Sequence, residues 1–236
     1  CNEAEFNLVE FTNTSKQVVE SDCTLPLGSN PEIGAGGQIV LNGAFTGSGT
    51  LTANSLLLTL GSTGGLSGFA GLSSGALLVE GAYDFGAYSS FAVGGDFAVS
   101  AGGEVTAPEG TAKFAGDFVN SGAFDANEGT VELTGSEQGI GGSTTFNDLT
   151  KVTKTADTLT FSAGATQTVE GTLTLEGASA EKLLSLVSSK SGEAWKLAGT
   201  GSRTAKWLSV KDSSNTGTEI SAVESLDAGG NTGWSF

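Results

Sequence analysis

The feature that most constrains this chain is the recurrence of short β-type segments closed by glycine. "GQIVLNG", "GALLVEG", "YSSFAVGG", "GTAKFAG", "GTVELTG" and "DTLTFSAG" are spaced along it with turn-rich breaks. Val, Leu, Ile, Phe and Thr fill these segments, and Gly, Ser or Asn closes them, which is the pattern of strands between tight turns. Helical i, i+3, i+4 spacing is nearly absent. The one exception is "SAEKLLSLVSS" at 179–189, and its "LLSLV" is equally good β sequence, so it is read as a strand.

A period runs through the segments. Gly-Asp-Phe stands at 95–97 and again at 116–118, a spacing of 21 residues. Repeats of this length, each with two or three short strands, predict a solenoid whose turns stack on their neighbours. The expected fold is all-β, a right-handed parallel β-helix of about nine or ten rungs, roughly 4.8 Å apart along the axis. A β-sandwich with similar strand spacing is the alternative. Glycine numbers 37 and proline 3, and 38% of the residues are apolar. Because those apolar residues are patterned, a flexible Gly/Ser linker is the poorer reading.

The charge is uneven. The chain carries 26 acids against 10 bases, for a formal charge of −16. All of that excess lies in residues 1–180, and residues 17–112 hold no Lys or Arg. Nucleic acid and anionic membranes are poor partners for such a surface, because phosphate recognition needs clustered cations. No apolar run reaches the roughly 18–20 residues of a membrane span.

Chemistry is scarce. There is no His, so Ser-His and Cys-His nucleophile pairs and Cys/His zinc sites are excluded. No phosphate-binding GxxxxGK[ST] occurs. The acids Asp84, Asp96, Glu104, Asp117 and Asp125 are the candidates for a carboxylate cleft. Asp96 and Asp117 share a repeat position, which predicts stacking one rung apart, where a calcium ion or a sugar is conceivable and a solvated turn is the plainer reading. Thr-x-Thr pairs at 50/52, 158/160 and 172/174 are too few and too irregular for an ice-binding ladder. Trp195, Trp207 and Trp234 sit in strand-like segments and are expected to pack the last rungs. No catalytic, cofactor or metal site is expected, and the chain is read as a non-enzyme.

The middle of the chain, "GSEQGIGGSTTFNDLTKVTKTADTLTFSAGATQTVEGTLTLEG" (135–177), resembles the Gly/Thr-rich repeats of bacterial extracellular right-handed β-helix proteins. These are the filamentous-haemagglutinin-like and autotransporter-passenger-like surface proteins. The block 183–236, with its Val-Lys-Asp-Ser and Gly-Asn-x-x-Trp, is similar to the stretch that closes such arrays. The resemblance implies architecture and an extracellular or cell-surface location. It transfers no catalytic residue.

Residues 1–23 stand apart from the repeat, so three segments are expected: an N-terminal arm (1–23), Gly/Thr-rich repeats (24–177) and Trp-containing final rungs or a cap (178–236). Three readings of the arm compete. It is a cap held by a Cys1–Cys23 disulfide, a donor strand for a neighbouring subunit, or the start of a lipoprotein acylated at Cys1. Phe6, Leu8, Phe11 and Val18 would supply its apolar contacts. The later cations Lys196, Arg203, Lys206 and Lys211 would form a basic end facing the acidic start of another copy. The functional expectation is a secreted filament subunit whose partner is itself, stacking head to tail. An adhesin or carbohydrate-binding stalk, with surface glycans as partner, is the alternative. A polysaccharide-active enzyme and an ice-binding protein rank below both.

Overall fold

The computed structural model describes residues 8–10, 17–19, 23–24, 32–34 and 37–236. Among them there is no helix, and the strands stack as a parallel β-solenoid of about nine turns. Each turn contributes a strand to up to three faces. The first face stacks Ser90–Val93, Thr111–Phe114, Thr130–Leu133, Asp148–Val152, Leu173–Glu176 and Arg203–Lys206. The second stacks Phe97–Val99, Phe118–Asn120, Gln138–Gly141, Asp157–Phe161, Leu184–Ser188 and Leu208–Val210. The third carries Ala82–Asp84, Glu104–Thr106 and Ala123–Asp125, then Thr144–Phe146, Thr166–Val169, Trp195–Ala198 and Ser213–Asn215. Among the described residues all pairings between strands are parallel, which rules out the antiparallel sandwich.

The sequence period sets this register. Phe97 pairs with Phe118, so the two Gly-Asp-Phe copies lie one turn apart. The segment at 179–189 supplies the strand Leu184–Ser188. Within each strand alternate residues face the lumen. In Asp157–Phe161 these are Asp157, Leu159 and Phe161, while Thr158 and Thr160 look outward. Inward rings stack along the axis: Phe97 with Phe118 at 5.1 Å and Phe118 with Phe146 at 5.4 Å. The C-terminal strands continue the same ladders, so residues 184–235 are further turns of the solenoid.

The described parts of the expected arm behave differently from the sequence reading. Leu8–Glu10, Gln17–Val19 and Cys23–Thr24 pair in parallel with Glu32–Gly34, Gln38–Leu41 and Ala44–Thr46. They take a place on all three faces. The physical reason is that the ladder is made by backbone groups, which any extended segment offers, so a turn needs no Gly/Thr motif. Leu8, Val18 and Cys23 belong to these strands. Cys1, Phe6 and Phe11, and with Cys1 the disulfide, lie outside the described residues.

Candidate functional site

Three sets of polar residues lie along the rod: the acids of the second face, those of the third face, and a charged pair inside. Asp96 and Asp117 stack at the corner that opens the second face, as their repeat position implied. Asp96 Oδ1 accepts the Asp117 N–H at 2.9 Å, and Asp117 Oδ1 accepts the Gly139 N–H at 2.6 Å. Each carboxylate thus ties its own turn to the next. An acid with a backbone donor in hand is a structural clamp, and such charge-assisted bonds are the stronger kind.

Asp84, Glu104 and Asp125 gather on the third face. They line a shallow depression of about 350 Å³, and Asp125 also lines an adjoining one of about 370 Å³ with Phe124, Asn127 and Glu170. The outward alanines Ala82 and Ala123 leave the first recess open. Asp84 Oδ1 accepts the Gly86 N–H and Asp125 Oδ1 the Asn127 N–H, both two residues on. That is turn chemistry. Among the described residues no three acids or thiols come close enough together to hold a metal ion.

The third set was not anticipated. Lys151 points into the lumen and is fully buried, in the column where Phe114 and Leu133 precede it and Leu175 follows. Its Nζ donates to Gly135 O and to Gln138 Oε1 at 2.8 Å, and lies 3.0 Å from Asp157 Oδ2. Gln138 Nε2 donates in turn to Phe114 O and Gly116 O. Asp157 Oδ1 accepts the Glu137 and Thr158 N–H groups, both at 2.8 Å. All three ammonium hydrogens have acceptors, and the network joins three successive turns at one corner. Burial alone pushes the Asp157 carboxyl up. The Glu137 N–H, the Lys151 ammonium and the Thr158 N–H outweigh it and hold the carboxyl below its ordinary range.

The cations of the expected basic end lie on more than one face. Lys196 projects outward from the third face. Arg203 stands above Leu173 on the first face, and its guanidinium donates to Val169 O, Ala198 O and Ser202 O. Lys206 pairs with Glu224 at 3.2 Å and lies 4.0 Å over the Trp207 ring. Lys211 is exposed on the corner between the second and third faces. Successive strands of a solenoid look in three directions, so cations close in sequence are dispersed around the rod.

The tryptophans are packing residues to different degrees. Trp195 is fully buried and donates Nε1–H to Lys211 O at 3.1 Å. Trp234 is half-buried, edge-on to Trp195 at 6.4 Å. Trp207 turns the corner after the first face with φ of 53°, an uncommon conformation for a bulky residue. Its N–H to Val223 O and its carbonyl, which accepts from Leu184 N–H, hold it there. The Thr-x-Thr pairs divide between faces: 50/52 and 172/174 belong to the first and 158/160 to the second.

Two signals in the sequence mark the interior pair. In "DLTKV" the lysine shares the inward parity of Leu149, and in "DTLTF" the aspartate shares that of Leu159 and Phe161. A charge at an inward position of each of two neighbouring strands is the trace of a buried ion pair. No protein-family model matches this chain, and neither a curated protein nor a solved structure does.

Proposed function

We propose that this chain is a structural β-solenoid of an extracellular fibre, stacking end to end on copies of itself. One observation carries the reading: six of the polar side chains described above join one turn to the next. Asp96, Asp117, Gln138, Lys151, Asp157 and Arg203 all bind backbone groups of other turns or corners. A rod made this way serves as a spacer or strut.

End-to-end contact has a physical basis. Among the described residues, Leu226–Asp227 and Trp234–Ser235 each pair on one side only. Val223, Leu226 and Phe236 around them are 53%, 55% and 47% exposed. Open strand edges flanked by apolar side chains invite a further strand. A contact between unlike ends does not close on itself, so it builds a filament.

Light scattering over a concentration series, with negative-stain imaging, tests the proposal. We expect filaments whose axis follows the solenoid. A monodisperse monomer at high concentration overturns it. The third-face depressions favour a second reading, an adhesive stalk that binds glycans as a monomer. Glycan-array binding that persists without filaments would select it.

A further inference from the structure

We propose that Lys151 and Asp157 condense to form an amide cross-link within the core, closing the corner between the first and second faces. This goes beyond the structural role above and does not depend on it.

The two groups meet under conditions that favour acyl transfer. Lys151 Nζ lies 3.0 Å from Asp157 Oδ2, and the two side chains are 0% and 3% exposed. Gly135 O and Gln138 Oε1 fix the nitrogen. Groups held in this way react as if at very high concentration, with effective molarities that reach roughly 10⁵–10⁸ M. The carboxyl is equally fixed. Its Oδ1 sits between two backbone N–H donors, from Glu137 and Thr158, each at 2.8 Å. Two N–H groups aimed at one oxygen are the arrangement that stabilises an oxyanion. The other oxygen, Oδ2, faces the amine and is free to leave.

The step balances without a co-reactant. The ammonium passes a proton to Oδ2 across their contact, leaving a neutral amine and a carboxylic acid. The nitrogen lone pair attacks Cγ, a C–N bond forms, and the carbonyl electron pair moves to Oδ1 in its N–H cradle. That pair then returns. The C–Oδ2 bond breaks, and Oδ2 departs as water with a second proton taken from the nitrogen. One ammonium and one carboxylate become one neutral amide and one water. Nothing is oxidised or reduced. The driving force is the removal of two buried charges, since a neutral group of similar shape is tolerated in a core as well as an ion pair or better. Water is expelled from a lumen lined by Leu133, Leu149, Leu159, Leu175 and Leu184, which opposes the reverse hydrolysis.

Intact-mass spectrometry of the purified full chain, with peptide mapping after denaturation, tests this. We expect a mass lower than that of the sequence by one water. Trypsin should pass over Lys151 while cutting after Lys154, and the fragments carrying residues 151 and 157 should remain joined. Lys151→Arg keeps the ion pair but cannot form this amide, so it should show the full mass. A wild-type chain with full mass and an unlinked Lys151 overturns the proposal. So does a water deficit that maps elsewhere or persists in Lys151→Arg. The wild-type peptide map decides the matter even if the variant fails to fold.

Discussion

The indole of Trp195 lies flat against the ring of Phe161, with centroids 3.8 Å apart and planes 4° from parallel. Both side chains are buried, and the pair connects the second face of one turn to the third face of the next. Large apolar groups stacked at van der Waals distance contribute through buried area and ring geometry together.

Replacing Trp195 by Ala therefore opens a cavity in the core and leaves Lys211 O without its donor. We expect a loss of about 3–5 kcal/mol. Trp195→Phe keeps a ring against Phe161 and loses the hydrogen bond, at about 1–2 kcal/mol. Urea unfolding followed by circular dichroism separates the two. Equal losses would show that the stack contributes nothing beyond the bond.

Relative to Lys151→Arg, which keeps both charges and cannot form the amide, Lys151→Ala leaves the Asp157 carboxylate buried beside an empty space. Removing one partner of a buried pair costs about 3–5 kcal/mol. Lys151→Met combined with Asp157→Leu replaces both charges with apolar groups of similar length, and most of that loss should be recovered. The comparison is made on denaturant midpoints. A double variant as unstable as the single one would place the cost in the Gly135 and Gln138 contacts instead.

Two glycines test how closely successive turns approach. Gly142 has φ of 75°, and a Cβ there would stand 1.8 Å from Asn120 O. Gly102 has φ of 93° and meets nothing within 4 Å. Gly102→Ala is expected to cost only the left-handed backbone term, about 1–2 kcal/mol. Gly142→Ala must also push two turns apart and should lower the melting temperature much further. Equal shifts would mean that the corner yields freely.

Alkaline pH should weaken the fold in a defined window. Burial pushes the Tyr83 phenol up to about 12, with Glu80 adding to the effect, and Tyr88 likewise to about 12, with Asp84 adding. Both folded values lie above the unfolded value near 10, so the unfolded chain loses its protons first. The stabilising contribution is complete below about pH 10 and is lost as pH rises through about 12. Ultraviolet titration of phenolate absorbance, alongside unfolding at pH 9 and pH 12, measures both sides of the linkage. Two phenols titrating near 10 in the folded chain would refute it.

The solenoid was legible because its hydrogen-bond register repeats in the sequence. Gly-Asp-Phe at two places was enough to bring Phe97 over Phe118, and period-two alternation told Leu159 from Thr160. What the sequence did not reveal depends on direction around the rod. Lys196 lies on the third face, while Arg203 and Lys206, close to it in the chain, end one strand of the first. Asp84, Glu104 and Asp125 are scattered and share one face. The interior pair is marked only by parity, since Lys151 and Asp157 share the inward positions of Leu149 and Leu159 while their residue types suit a surface. The first strands share no motif with the repeat, though a backbone ladder asks for none.

The parallel ladder has a mechanical meaning. Its hydrogen bonds run along the axis, so tension between the two ends is borne by one inter-turn ladder at a time. The rod then yields as a ribbon peels, turn after turn. A repeat of 21 residues, the spacing of the two Gly-Asp-Phe copies, releases at most about 70 Å of chain from about 4.8 Å of length. Where a polar clamp or a covalent tie spans a corner, peeling should pause. Such a chain would absorb a pull by graded lengthening, in many small steps of similar size.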